Sequence, residues 1–84
     1  MRINVLFFAK LREEVGENKL SINIEEFSSA TIKDLFDDLS TNYKRLSLYK
    51  GEIKAALNQE MVKDWNIKIS DGDEIAFFPP ITGG

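Results

Sequence analysis

The sequence predicts one α+β domain, a mixed β-sheet packed on a single long amphipathic helix. Two patterns predict it: segments near both ends alternate apolar and polar residues with a strand's period of two, and a central segment repeats apolar residues at helical spacing. Length is the third observation. The 84 residues leave room for one hydrophobic core, because a chain of this size buries only roughly 60% of the surface it exposes when unfolded. The folded domain is expected to span residues 1–78, with residues 79–84 as a flexible, extended tail.

Arg2 to Ala9 reads as the first strand, with Ile3, Val5 and Phe7 on one face and Arg2, Asn4, Leu6 and Phe8 on the other. Lys10 to Val15 is a short helix, stopped at Gly16 by a left-handed cap. Lys19 to Glu26 alternates again, with Leu20, Ile22 and Ile24 inward. Thr31 is a helix N-cap, and Asp34 three residues on returns a capping interaction. From there Ile32, Leu35, Phe36, Leu39 and Tyr43 form an apolar stripe opposite Lys33, Asp34, Asp37 and Asp38. Leu46, Leu48 and Tyr49 follow no clear period, and Gly51 breaks the chain. Ile53 to Leu57 is a short strand, Asn58-Gln59-Glu60 a turn, and Ser70 to Asp73 a second turn leading into the last strand, Glu74 to Phe78. Pro79 and Pro80 end that strand, because neither can donate a ladder hydrogen bond.

Composition narrows function by exclusion. There is no cysteine and no histidine, which removes disulfides, thiolate nucleophiles, imidazole bases and the usual nitrogen and sulfur metal sites. No metal is expected. The formal charge of -3, spread over Glu13-Glu14, Glu25-Glu26, Asp37-Asp38 and Asp71 to Glu74, disfavours nucleic acid and anionic membranes and suits a basic protein partner. Ile3 to Ala9 is too short for a signal core, and nothing approaches the ~20 apolar residues of a membrane span, so a cytoplasmic protein is expected. Asp71-Gly72-Asp73 lacks the other ligands of a calcium loop and reads as a plain turn. Trp65 reads as a packing residue.

The compositional break is the end of the chain. From Phe77 to Gly84 no side chain is charged, although 30% of all residues are. Such a segment enters a protein cleft without stripping water from ions, and its two prolines reduce the entropy lost on docking. The four residues beyond Pro80 reach about 14 Å when extended. Gly83 and Gly84 remove every Cβ near the final carboxylate, which permits a narrow tunnel and open attack at the carbonyl carbon. Gly84 is expected to be the true C-terminus; the competing reading is a frayed end. A carboxylate is a poor electrophile and needs activation, with acyl-adenylation by ATP in a partner the obvious route, since the chain has no nucleotide-binding loop of its own.

Three segments carry a resemblance: Val5-Leu-Phe-Phe-Ala-Lys-Leu-Arg-Glu-Glu-Val-Gly16, Ala55-Ala-Leu-Asn-Gln59 and Asp71-Gly-Asp-Glu-Ile-Ala-Phe-Phe-Pro-Pro-Ile-Thr-Gly-Gly84. They resemble the MoaD-type sulfur carriers, the small subunits of molybdopterin synthase; the middle, roughly residues 28–51, matches only in pattern. The resemblance implies a ubiquitin-like β-grasp fold and a place in molybdenum-cofactor biosynthesis. It further implies that an E1-like, MoeB-type enzyme uses ATP to adenylate Gly84 and that a persulfide-derived sulfur replaces AMP to give a thiocarboxylate. The tail (Pro79, Pro80, Ile81, Thr82, Gly83, Gly84) then enters a MoaE-type large subunit, within a heterotetramer of two small and two large subunits. There sulfur passes to cyclic pyranopterin monophosphate, two carriers per dithiolene. The chain itself binds no cofactor and is not catalytic alone.

Phe8 and Phe78 fall on the sheet face opposite Phe7 and Phe77, and the family position of Met61 brings it beside them. The three make an apolar patch suited to a partner; alternatively, loops or the Trp65 segment cover them as a second small core. Arg12 either reaches an acidic group of the partner or is a solvated helix charge. Two other functions remain open: a ubiquitin-like modifier conjugated to lysines through Gly84, and a sulfur carrier for thiamine or transfer-RNA thiolation.

Overall fold

The computed structural model describes residues 2–23, 30–49 and 51–79. Strand β1 (Arg2–Phe7) is followed by helix α1 (Lys10–Val15), β2 (Lys19–Asn23), α2 (Ile32–Asn42), a 3-10 helix (Lys44–Tyr49), β3 (Lys54–Leu57), β4 (Glu60–Val62) and β5 (Glu74–Phe78). The strands form one mixed five-stranded sheet in the order β2-β1-β5-β3-β4. β1 and β5 run parallel at its centre and the other neighbours are antiparallel.

The register assigns each face. Ile3, Val5, Phe7, Ala55, Ile75 and Phe77 are buried beneath Ile32, Leu35, Phe36 and Leu39 of α2, as the alternation and the helical stripe require. Phe77 sits in an aromatic cluster, with ring centroids 6.2 Å from Phe7, 5.4 Å from Phe36 and 5.6 Å from Trp65. The packing reading of Trp65 is thus met on the helix side of the sheet.

Helix α2 starts where Thr31 closes a capping box. The Asp34 N–H donates to Thr31 Oγ1 and the Thr31 N–H to Asp34 Oδ2, both at 3.1 Å, an arrangement that contributes about 1 kcal/mol. Two more orphan donors of its first turn are taken by the later chain: Ile32 N–H by the Ile67 carbonyl at 3.2 Å and Lys33 N–H by the Trp65 carbonyl at 2.9 Å. Beyond α2, the 3-10 helix buries Leu46 and is tied to α1 by the Arg45 Nε–Glu14 Oε2 contact at 2.6 Å. The Glu14 carboxylate raises the pKa of Arg45, through the hydrogen bond first and its charge second.

Several boundaries differ from expectation, each for a local reason. The first strand ends at Phe7 because the chain turns at Ala9, which holds φ 51° and ψ −126°. Phe8 still donates to the Phe77 carbonyl at 3.2 Å, while the Phe8 and Ala9 carbonyls accept from Leu11 and Arg12 at 3.1 Å each. This positive φ favours glycine and strains alanine by about 1–3 kcal/mol. Ala9→Gly is therefore expected to raise the unfolding free energy by about 1 kcal/mol in urea titration; a loss of stability would show that Ala9 carries no strain. Glu60, assigned to a turn from sequence, begins β4 instead, because Asn58 and Gln59 (φ 49° and 72°) make a two-residue turn that sends the chain back along β3. The end of the second expected strand, from Ile24 to Glu26, lies outside the described residues.

Candidate functional site

The sheet face away from α2 carries Leu6 and Phe8 of β1 and its end, Ala76 and Phe78 of β5, Ala56 of β3 and Met61 of β4. Leu6, Ala76, Ala56 and Met61 form one cross-strand row, and Phe8 and Phe78 lie one row further toward the end of β5. The Phe8 and Phe78 rings stack at 4.7 Å with 12° between their planes. Phe8 is 40% exposed and Met61 59% exposed, while Phe78 and Pro79 are half-buried. The structure thus brings Phe8, Met61 and Phe78 onto one accessible surface. Trp65 does not cover it, because that ring packs edge-on to Phe36, 5.5 Å away on the other side of the sheet.

Pro79 leaves β5 at the Phe8–Phe78 end of this surface. Pro80, Ile81, Thr82, Gly83 and Gly84 lie outside the described residues. Arg12 is exposed on α1 and makes no ion pair among the described residues.

The opposite end of the sheet is held by carboxylates used as structural acceptors. Asp71 Oδ1 accepts from the Arg2 N–H at 2.7 Å and Asp73 Oδ2 from the Ser70 N–H at 2.7 Å. Asn58 bridges this turn to the β3–β4 turn, donating from Nδ2 to Asp73 Oδ1 at 3.0 Å and accepting from the Glu74 N–H at 2.9 Å. The plain-turn reading of Asp71-Gly72-Asp73 stands, and sequence gave no sign that Asn58 would lock it. Among the described residues no group of His, Cys, Asp and Glu is arranged to hold a metal, and no helix is long and apolar enough to cross a membrane. A groove of about 400 Å³ beside α2, lined by Lys33, Phe36, Asp37, Gly51, Ile53, Lys63 and Trp65, holds none of the expected site residues.

A two-layer fold whose last strand precedes a charge-free segment ending in Gly-Gly is matched by a family model over residues 5–84. The chain belongs to the ThiS family. Its fold is the ubiquitin-like β-grasp of ThiS and MoaD proteins. Across ThiS relatives the match is full-length: the molybdopterin synthase sulfur carrier subunit of Escherichia coli K12 is 39% identical over 84 residues, covering 98% of this chain and 99% of that one. The aligned stretch thus includes the middle of the chain as well as the three segments that carry the resemblance. SAMP1, the small archaeal modifier protein 1 of Haloferax volcanii, superposes with a TM-score of 0.83 at 26% identity over 100% of both chains. The structure of a protein–protein complex of subunits 1 and 2 of molybdopterin-converting factor from Helicobacter pylori contains a chain with a TM-score of 0.69 at 26% identity, again over 100% of both.

Proposed function

We propose that this chain is the sulfur carrier and small subunit of molybdopterin synthase, working through a thiocarboxylate on Gly84. The observation that carries the reading is the 39% identity to a sulfur carrier subunit across essentially both chains, and the docking face at the root of the tail supports it. In this reading the chain supplies the reacting carbon and its reach, and partners supply the catalytic groups, since histidine and cysteine are absent from the sequence. The Gly84 carboxylate attacks the α-phosphate of ATP in an E1-like, MoeB-type enzyme and pyrophosphate leaves; the outer sulfur of a persulfide donor then displaces AMP from the acyl carbon as an acyl disulfide, and a second thiol of the loading machinery cleaves its S–S bond, leaving the thiocarboxylate on Gly84 and a disulfide on the donor.

The loaded tail next enters a MoaE-type large subunit and gives up its sulfur to cyclic pyranopterin monophosphate. Phe8, Met61 and Phe78 bind the large subunit's surface, Arg12 meets a carboxylate there, and Pro79 to Thr82 line up the tail inside the partner. Two small and two large subunits make up the assembly, which works in the cytoplasm. ATP is consumed by the activating enzyme, so the chain alone shows no turnover.

Intact mass spectrometry of protein produced with its loading enzymes is expected to show one oxygen exchanged for sulfur at Gly84. Chains found only in isopeptide-linked conjugates would sink the carrier reading and favour the second one, a modifier, which the likeness to small archaeal modifier protein 1 suggests. Conversion of the pterin substrate with the large subunit separates this pathway from thiamine or transfer-RNA thiolation. Appending one alanine after Gly84 should lower sulfur loading at least about 100-fold, because it displaces the reacting carbon by a residue's length. Unchanged loading would overturn the terminal-carbon mechanism.

A further inference from the structure

The chain is acidic overall, with a formal charge of -3, yet its docking face has the opposite sign. The register sets Lys19 of β2 across from Leu6, and Lys54 of β3 across from Phe78. The two lysines therefore flank Leu6, Phe8, Ala76 and Phe78, three strand spacings and one row or about 16 Å apart, with Met61 of β4 beyond Lys54. At the far end of the same face Arg2 and Glu74 offset each other. The exposed acids Asp34, Asp37 and Asp38 ride on α2, in the other layer of the molecule.

Neither lysine is used internally. The ion pairs among the described residues are Lys33–Asp37 and Arg45–Glu14, and Lys19 and Lys54 are in neither. Protection of a sheet edge accounts for a lysine on β2, an outer strand. Lys54 pairs with Phe78 of β5 alone, since the β3–β4 register begins at Ala55, and so stands at the border of the apolar patch beside the paired phenylalanine rings.

We propose that the outer sheet face docks onto a protein surface with an apolar centre flanked by carboxylates that meet Lys19 and Lys54. This rests on the docking reading above and fixes the sign of the partner: net charge points to a basic partner, whereas the register points to an acidic one at the contact. Charges at the rim of an interface act chiefly on the rate of encounter and its salt dependence.

The test is the association rate with the molybdopterin synthase large subunit from the same genome, measured by stopped-flow across a salt series. The wild-type rate is expected to fall as salt rises. Lys19→Glu combined with Lys54→Glu should slow association at least about 10-fold at low salt and remove that salt dependence. Lys54→Gln, which keeps the size of the side chain, should give an intermediate rate with an unchanged circular dichroism spectrum. Met61→Glu serves as the control for the face itself and should abolish capture. If Met61→Glu abolishes capture while the lysine variants associate as fast as wild type, or faster, the acidic-partner inference is wrong and the docking face survives. If Met61→Glu binds normally, the face is misassigned and both fall.

Discussion

Phe77→Ala is expected to lower the unfolding free energy by about 3–5 kcal/mol. The side chain has no exposed surface and joins α2, β1 and the Trp65 segment through three aromatic neighbours between 5.4 and 6.2 Å away. Those rings belong to three separate stretches of chain, so they cannot collapse together into the space left behind, and the residual cavity adds to the lost transfer energy. Since domains are stable by only roughly 5–15 kcal/mol, the variant should melt far below wild type. Urea titration reads the change directly. A loss under about 1 kcal/mol would mean that this cluster is not the centre of the core.

Phe78→Asp, one residue on, should produce the reverse pattern. Its ring projects from the other face, half-buried and stacked on Phe8 at 4.7 Å, so folding loses only about 0.5–1.5 kcal/mol of ring contact. Binding loses far more, because a carboxylate in place of the apolar ring must be stripped of water at the contact, a cost that exposed Lys54 across the ladder offsets only in part. Association with the large subunit is expected to weaken at least about 100-fold, the effect of an aromatic hot spot, with circular dichroism unchanged. Loss of the folded signal would instead show that the outer face is a second small core. Adjacent residues of one strand thus separate stability from recognition.

Much of this was legible from local chemistry. The limits of α1, the capping box of Thr31 and Asp34, and the limits of β5 follow from periodicity, cap residues and proline, which act over a few positions. Strand β4 was not legible, because Glu60–Val62 is too short to show alternation and its neighbours Asn58 and Gln59 look like an open turn. The 3-10 helix was missed because Leu46 is its only buried residue, leaving no stripe to read. Alternation put Phe8 and Phe78 on the same type of face, but their stacking depends on β1 and β5 being parallel neighbours, a long-range fact. The two lysines of the outer face were not legible from net charge, since composition averages over surfaces that the register keeps apart. The chemistry expected of the tail came from residues beyond the described structure and rests on sequence.

The position of β5 has one further consequence. It lies in the middle of the sheet, joining the β1–β2 hairpin to the β3–β4 hairpin, although it is the last strand to be synthesised. A chain interrupted before Glu74 holds two hairpins with no shared ladder between them, and an isolated hairpin is marginal in water. Such fragments remain open to proteases. Completion of the sheet thereby waits on β5: a polypeptide that has acquired its compact form has already been translated through Phe78. The stacked pair of Phe8 and Phe78 rings exists only once β5 has joined β1, so a binder of that pair would engage only chains whose sheet is closed.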